Sequence, residues 1–103
     1  GATRSVGATV ILVDGALGAY LARGDRQLTA YLSDVEPQRS RVGRTVSRAL
    51  IERARAGGDR PRGMLIEEID GATPAAHTLA PYLAEAGFIG GAMGFQATFK
   101  RNA

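Results

Sequence analysis

The chain has 103 residues, 45% of them hydrophobic, with 13 basic against 10 acidic side chains, one histidine and no cysteine. That length supports a single domain, because two would leave neither with a self-sustaining core. Absence of cysteine excludes a disulfide scaffold and thiolate chemistry, and no apolar run approaches the roughly 20 residues that cross a bilayer.

Val10-Ile11-Leu12-Val13 is apolar throughout, which predicts a central strand covered on both faces. Asp14-Gly15 supplies a tight reversal, since glycine accepts the positive φ such turns demand. Leu17, Ala19 and Leu21 then alternate with Gly18, Tyr20 and Ala22 as a second strand. After Gly24-Asp25, Gln27, Thr29 and Tyr31 alternate with Leu28, Ala30 and Leu32, so the opening is a three-stranded antiparallel meander. Residues 33–40 are polar, include Pro37 and are expected as loop.

From Arg41 to Ala56 the period becomes helical, with Val42, Val46, Ala49 and Leu50 on one side. Gly57-Gly58 is expected to stop this helix, and a turn through Pro61 follows. Met64–Ile69 is expected as a fourth strand, ended by Asp70-Gly71. Thr78 is the expected N-cap of a short helix with Pro81 in its first turn. Leu79, Tyr82, Leu83 and Ala86 form its apolar face, Gly87 closes it, and Phe88 is the apolar contact of the cap. Phe88-Ile89 and Phe95–Lys100 are expected as a final strand pair around Gly90-Gly91 and Gly94. The order βββ-α-β-α-ββ is that of an α+β domain, two helices on a largely antiparallel sheet that can curl into a partial barrel.

Chemical motifs are sparse. Lys100 is the only lysine, so a P-loop cannot be built. Asp14-Gly15-Ala16-Leu17-Gly18 leads into a strand and not a helix, which fails the dinucleotide fingerprint. His77 has no cysteine or second histidine with which to hold a metal and is expected as a solvent-facing loop residue. Glu67, Glu68 and Asp70 are expected as solvated strand-end carboxylates, and an independent enzyme would require a pocket that gathers Glu67, Asp70 and His77. Gly90, Gly91 and Gly94 fit hairpin-turn glycines better than an anion nest. No catalytic residue, metal site or cofactor is expected in the chain itself.

Charge provides the remaining constellation. Residues 37–62 hold eight arginines against Glu52 and Asp59, a local excess of six. Twelve arginines stand against one lysine over the whole chain; GC-rich coding produces such a ratio, and so does phosphate binding by the planar guanidinium. Arg41, Arg44, Arg48 and Arg55 fall within a helical sector roughly 60° wide. An ordinary solvated face has the same pattern; the functional alternative is weak, sequence-independent, salt-sensitive contact with a nucleic-acid backbone.

Three blocks in order carry a family resemblance. VILVDGALGAYLARGDRQLTAYL, Val10–Leu32, resembles the V-L-V-D-G-x-L-x-x-Y-L-x-R-G-x-R-x-L block in the final segment of bacterial large helicase-related (Lhr-type) proteins. MLIEEIDGA, Met64–Ala72, resembles the family's strand-Asp-Gly element, and TLAPYLAEAGF, Thr78–Phe88, its short helix ending in Ala-Gly-Phe. Together they cover about half of the chain. The family follows Ala-Gly-Phe with a Thr-Pro-x-Gly pattern and basic residues, whereas here Ile89–Ala97 intervenes and the basic residues wait until Lys100 and Arg101.

The resemblance implies the C-terminal domain of an ATP-dependent superfamily 2 DEAD/H-type DNA/RNA helicase active in nucleic-acid repair; a cytoplasmic location is expected from the lack of cysteine and of an apolar signal or membrane segment. ATP and magnesium belong to the motor of such a parent protein; no motor motif lies in this chain. The expectation is therefore a noncatalytic accessory domain, residues 1–103. Its partners are the other domains of the parent helicase and, weakly, nucleic acid through Arg41, Arg44, Arg48 and Arg55; no membrane is involved. The alternative is a structural module that docks on neighbouring domains of its own chain.

Overall fold

Two Asp-Gly pairs reverse the chain where the sequence places them. In the computed structural model, which describes residues 7–56 and 62–99, β1 (Thr9–Val13) and β2 (Ala16–Leu21) are antiparallel with Val13 opposite Ala16. Asp14 and Gly15 have φ of 53° and 81°, the backbone of a two-residue turn whose twist matches its strands. A four-residue loop, closed by Ala22 N–H on the Gln27 carbonyl at 2.9 Å, leads into β3 (Gln27–Ala30). The expected helix stop at Gly57-Gly58, the turn at Pro61, and Lys100 with Arg101 lie outside the described residues.

The apolar run 64–69, expected as one strand, is two. β4 (Met64–Ile66) pairs antiparallel with β7 (Gly94–Ala97), while β5 (Glu68–Ile69) runs parallel to β3. Between them the N–H groups of Glu67 and Glu68 both donate to the Arg26 carbonyl, at 2.8 and 3.2 Å. Backbone pairing thus changes partner at Glu67, and the alternation of buried Met64 and Ile66 slips by one residue to buried Ile69. β6 (Ile89–Gly91) completes a hairpin with β7. The α+β order βββ-α-β-α-ββ stands, mostly antiparallel, but as two sheets, β1-β2-β3-β5 and β4-β7-β6, and no barrel closes among the described residues.

The first strand is not central. β1 lies at the edge of its sheet, and Leu12 is 60% exposed. Helices cover one face of that sheet only, so continuous apolarity here does not mean double coverage. A bulge leaves Gly18 without a partner between the pairs Ile11–Ala19 and Leu12–Leu17. A Cβ at Gly18 would stand 2.7 Å from Val13 Cγ2 and 3.1 Å from Val46 Cγ2, so its absence lets the following helix lie close on the sheet.

That helix, α1 (Gln38–Arg55), begins three residues before the expected Arg41. Pro37 offers no side-chain cap. Glu36 takes the role instead, accepting the Ser40 N–H at 2.8 Å and the Ser40 hydroxyl. Those two hydrogen bonds hold the Glu36 carboxyl below its ordinary range, with help from Arg39 and Arg44. The buried side of α1 is Gly43, Val46, Ser47, Leu50, Ile51 and Ala54, with Val42 partly buried against the core.

Before the second helix, Pro74–Ala76 forms a 3₁₀ turn. Thr78 does not cap α2 (Ala80–Ala86); the Leu79 N–H donates to His77 Nδ1 at 3.0 Å. Leu79 is the N-cap, one residue later than expected, although its own φ/ψ is already helical. The far end follows expectation. Gly87 has φ 124°, its N–H reaches the Ala84 carbonyl, and the Phe88 N–H reaches the Leu83 carbonyl at 3.0 Å. Phe88 and Leu83 are both buried, the apolar contact of that C-cap. Among the described residues no helix is long and apolar enough to cross a membrane.

Candidate nucleic-acid interface

All four arginines of the predicted sector are exposed on α1, but their surroundings differ. Arg41 pairs with Asp14 of the β1–β2 turn at 3.0 Å. Arg44 Nε lies 3.0 Å from Glu85 Oε1 on α2, and its guanidinium sits 5.9 Å from the Tyr82 ring centroid. Arg55 lies 5.3 Å over the Phe99 ring. Arg48 makes no ion pair, hydrogen bond or ring contact among the described residues. Exposed pairs such as Arg41–Asp14 contribute about 0–1 kcal/mol, so these side chains are loosely held and can exchange a carboxylate for another anion.

Between α1 and α2 runs an open groove of about 300 Å³, lined by Arg44, Arg48, Glu52, Arg55, Tyr82 and Glu85 among others. Three guanidinium groups face two carboxylates there, leaving a net positive charge. The groove exists because the helices cross closely. A Cβ on Gly43 would meet Tyr82 Cδ2 at 2.5 Å and Cε2 at 2.8 Å, and the Tyr82 hydroxyl lies 3.1 Å from Ser40 Oγ. Sequence patterning reached the arginines but missed Gly43, Tyr82 and Glu85. Arg44 and Glu85 are 41 positions apart, and no local spacing joins them.

Other arginines of the basic segment face carboxylates. Arg53 donates two bonds to Asp25, at 2.9 and 3.2 Å, tying the end of α1 to the β2–β3 loop. Arg62 approaches the same carboxylate at 3.8 Å. Arg39 lies 3.9 Å from Glu36.

His77 is not the solvent-facing residue expected. Its side chain is 20% exposed and its Nε2 lies 2.6 Å from Asp70 Oδ2. Asp70 Oδ1 also accepts the Ala30 N–H at 3.0 Å. Because Nδ1 accepts the Leu79 N–H, the neutral ring carries its proton on Nε2 and donates it to Asp70. Both ring nitrogens are thereby occupied. Glu67 does not join them, facing Arg26 at 3.4 Å instead. Nearby Ser33 accepts the Val35 N–H. Asp70–His77 is a joint between β3, β5 and α2, without a free nitrogen to serve as base.

Comparison of the chain with protein-family models, with curated proteins and with solved structures finds no match.

Proposed function

We propose that this chain is a noncatalytic accessory domain of a cytoplasmic Lhr-type ATP-dependent helicase, and that it contacts nucleic-acid backbone through the exposed face of α1. The order of the three sequence blocks supports the family. The observation that carries the contact is the α1–α2 groove, where Arg48 stands between Arg44 and Arg55 without an ionic partner among the described residues. A phosphate there gains charge-assisted hydrogen bonds and breaks no internal pair at Arg48. ATP and magnesium, in this reading, are bound by the motor of the parent protein.

Titration of fluorescently labelled single-stranded DNA and RNA against the domain tests the contact. Two phosphates held at Arg48 and Arg55 give a slope of about −1.4 in log affinity against log salt for single strands. No binding even at about 50 mM salt removes the nucleic-acid role.

A second reading has its own observation. Leu12 and Leu17, 60% and 42% exposed, are cross-strand partners on the side of the first sheet away from α1, as suits a module docked on another domain of its own protein. A hydrophobic dye that binds the domain and is released by Leu12→Ser with Leu17→Ser supports it. Dye binding unchanged by those substitutions removes it.

A further inference from the structure

A second set of arginines faces away from the α1–α2 groove. Arg55 lines that groove, whereas Arg53, two residues earlier and so on the opposite side of the helix, ties Asp25 to the end of α1. Beside that tie an open basin of about 370 Å³ is lined by Arg26, Arg62, Gln96 and Thr98 among others.

Both basin arginines are fixed at the backbone and loose at the side chain. The Arg26 carbonyl takes the N–H groups of Glu67 and Glu68. The Arg62 N–H donates to the Ala56 carbonyl at 3.2 Å and the Gly63 N–H to the Ala54 carbonyl at 2.8 Å, so the segment before β4 is tied to the end of α1. Gly63 has φ 70°, and a Cβ on it would stand 3.0 Å from the Ala97 carbonyl oxygen. Glycine there lets the segment close on β7, which sets Arg62 in one basin with Gln96 and Thr98.

Little inside the basin spends its charge. Both Asp25 carboxylate oxygens accept from Arg53, and Arg62 stays 3.8 Å away, beyond hydrogen-bond reach. Arg26 meets Glu67 at 3.4 Å with its own side chain 64% exposed, and such a pair is weak. Gln96 and Thr98, exposed on either side of buried Ala97, make no side-chain hydrogen bond among the described residues.

We infer that this basin binds a phosphate group, through Arg26 and Arg62 with Gln96 and Thr98 as neutral donors. Guanidinium forks reach it from the β2–β3 loop and from the segment before β4, and an amide and a hydroxyl from β7. A planar carboxylate is satisfied by a single fork. A tetrahedral phosphate turns its oxygens in several directions, which suits donors arriving from three elements. The volume is that of a small-molecule site and leaves room for the ester that carries the phosphate. This site goes beyond the groove contact and does not depend on it.

Amide NMR titrations with inorganic phosphate, the diester thymidylyl-thymidine and N-acetyl-aspartate amide, at matched ionic strength, test the assignment. Phosphate or the diester is expected to shift the amides of Arg26, Gly63, Gln96 and Thr98. Arg62→Gln is expected to weaken that binding about tenfold, and Arg48→Gln, in the groove, to leave it unchanged. A diester that binds at least as tightly as inorganic phosphate identifies the ligand as nucleic-acid backbone; a response to phosphate alone identifies a phosphomonoester. Shifts confined to α1, equal losses in the two variants, or a carboxylate that binds as tightly as phosphate overturns the proposal. Silence of all three probes at these amides does the same.

Discussion

The Asp70–His77 joint and the α1–α2 groove teach opposite lessons about where chemistry resides. By residue type the joint is the more suggestive, a carboxylate 2.6 Å from an imidazole. Every nitrogen and both carboxylate oxygens of that pair already have partners. Groove residues are commoner surface types, yet among the described residues Arg48 retains all its donors, and Arg44 is held by an exposed pair and the Tyr82 ring. Unspent hydrogen-bonding capacity, more than residue identity, separates a binding surface from a structural joint.

The largest way to break this contrast is Gly43→Ala. Its Cβ falls within 2.9 Å of three Tyr82 ring atoms, so the whole ring must move and α2 must shift from α1. Overpacking of this kind costs about 1–3 kcal/mol and lowers the melting temperature. An unchanged melting curve would mean that the helices do not cross as described. Asp70→Ala comes next. Losing the acceptor for Ala30 N–H and for His77 is expected to cost about 1–2 kcal/mol, partial exposure having reduced it. DNA affinity should be untouched, and adding His77→Ala should cost less than it does alone. Additive losses in denaturant titrations would dissolve the joint.

Arg48→Gln sharpens the other side. It is expected to reduce the single-strand salt slope by about 0.7 without altering stability, whereas Arg41→Gln, already paired with Asp14, changes the slope less. Equal effects would show that the groove is merely part of a uniform charged face. The smallest effect concerns acid. The Glu36 carboxyl is lowered by its bonds to Ser40, so its stabilising contribution is complete above the ordinary carboxylate range and is lost as pH falls through the lowered value. Glu36→Gln should therefore flatten the acid limb of melting temperature against pH; a limb of unchanged steepness would refute the capping role.

Local features were legible where geometry is local. Asp14-Gly15 and Asp70-Gly71 both adopt positive φ, and Gly87-Phe88 closes α2 as its spacing implies, because turns and caps are decided within a few residues. Within the expected last strand, Phe95 and Ala97 are buried and Gln96 exposed, the alternation of a strand with one covered face. At Glu67 the inward alternation of Met64 and Ile66 slips by one residue to Ile69, a break marked by the consecutive Glu67 and Glu68 that the reading of one continuous strand passed over. β1 misled for a related reason: an apolar edge strand with one uncovered face has the composition of a central one. Arg26, Arg62 and Gln96 could not be grouped in advance, because their proximity depends on β4 pairing with β7 beside the β2–β3 loop.

Composition, period and turn residues were sufficient to specify an α+β chain, its element order and the arginine sector of α1, since each depends on interactions within a turn or two of backbone. Tertiary structure alone decided which arginines are neutralised, that His77 is committed to Asp70, and which strands share a sheet. Those outcomes depend on pairs as far apart as Arg44 and Glu85, brought together only when α2 settles against α1 across the gap left by Gly43.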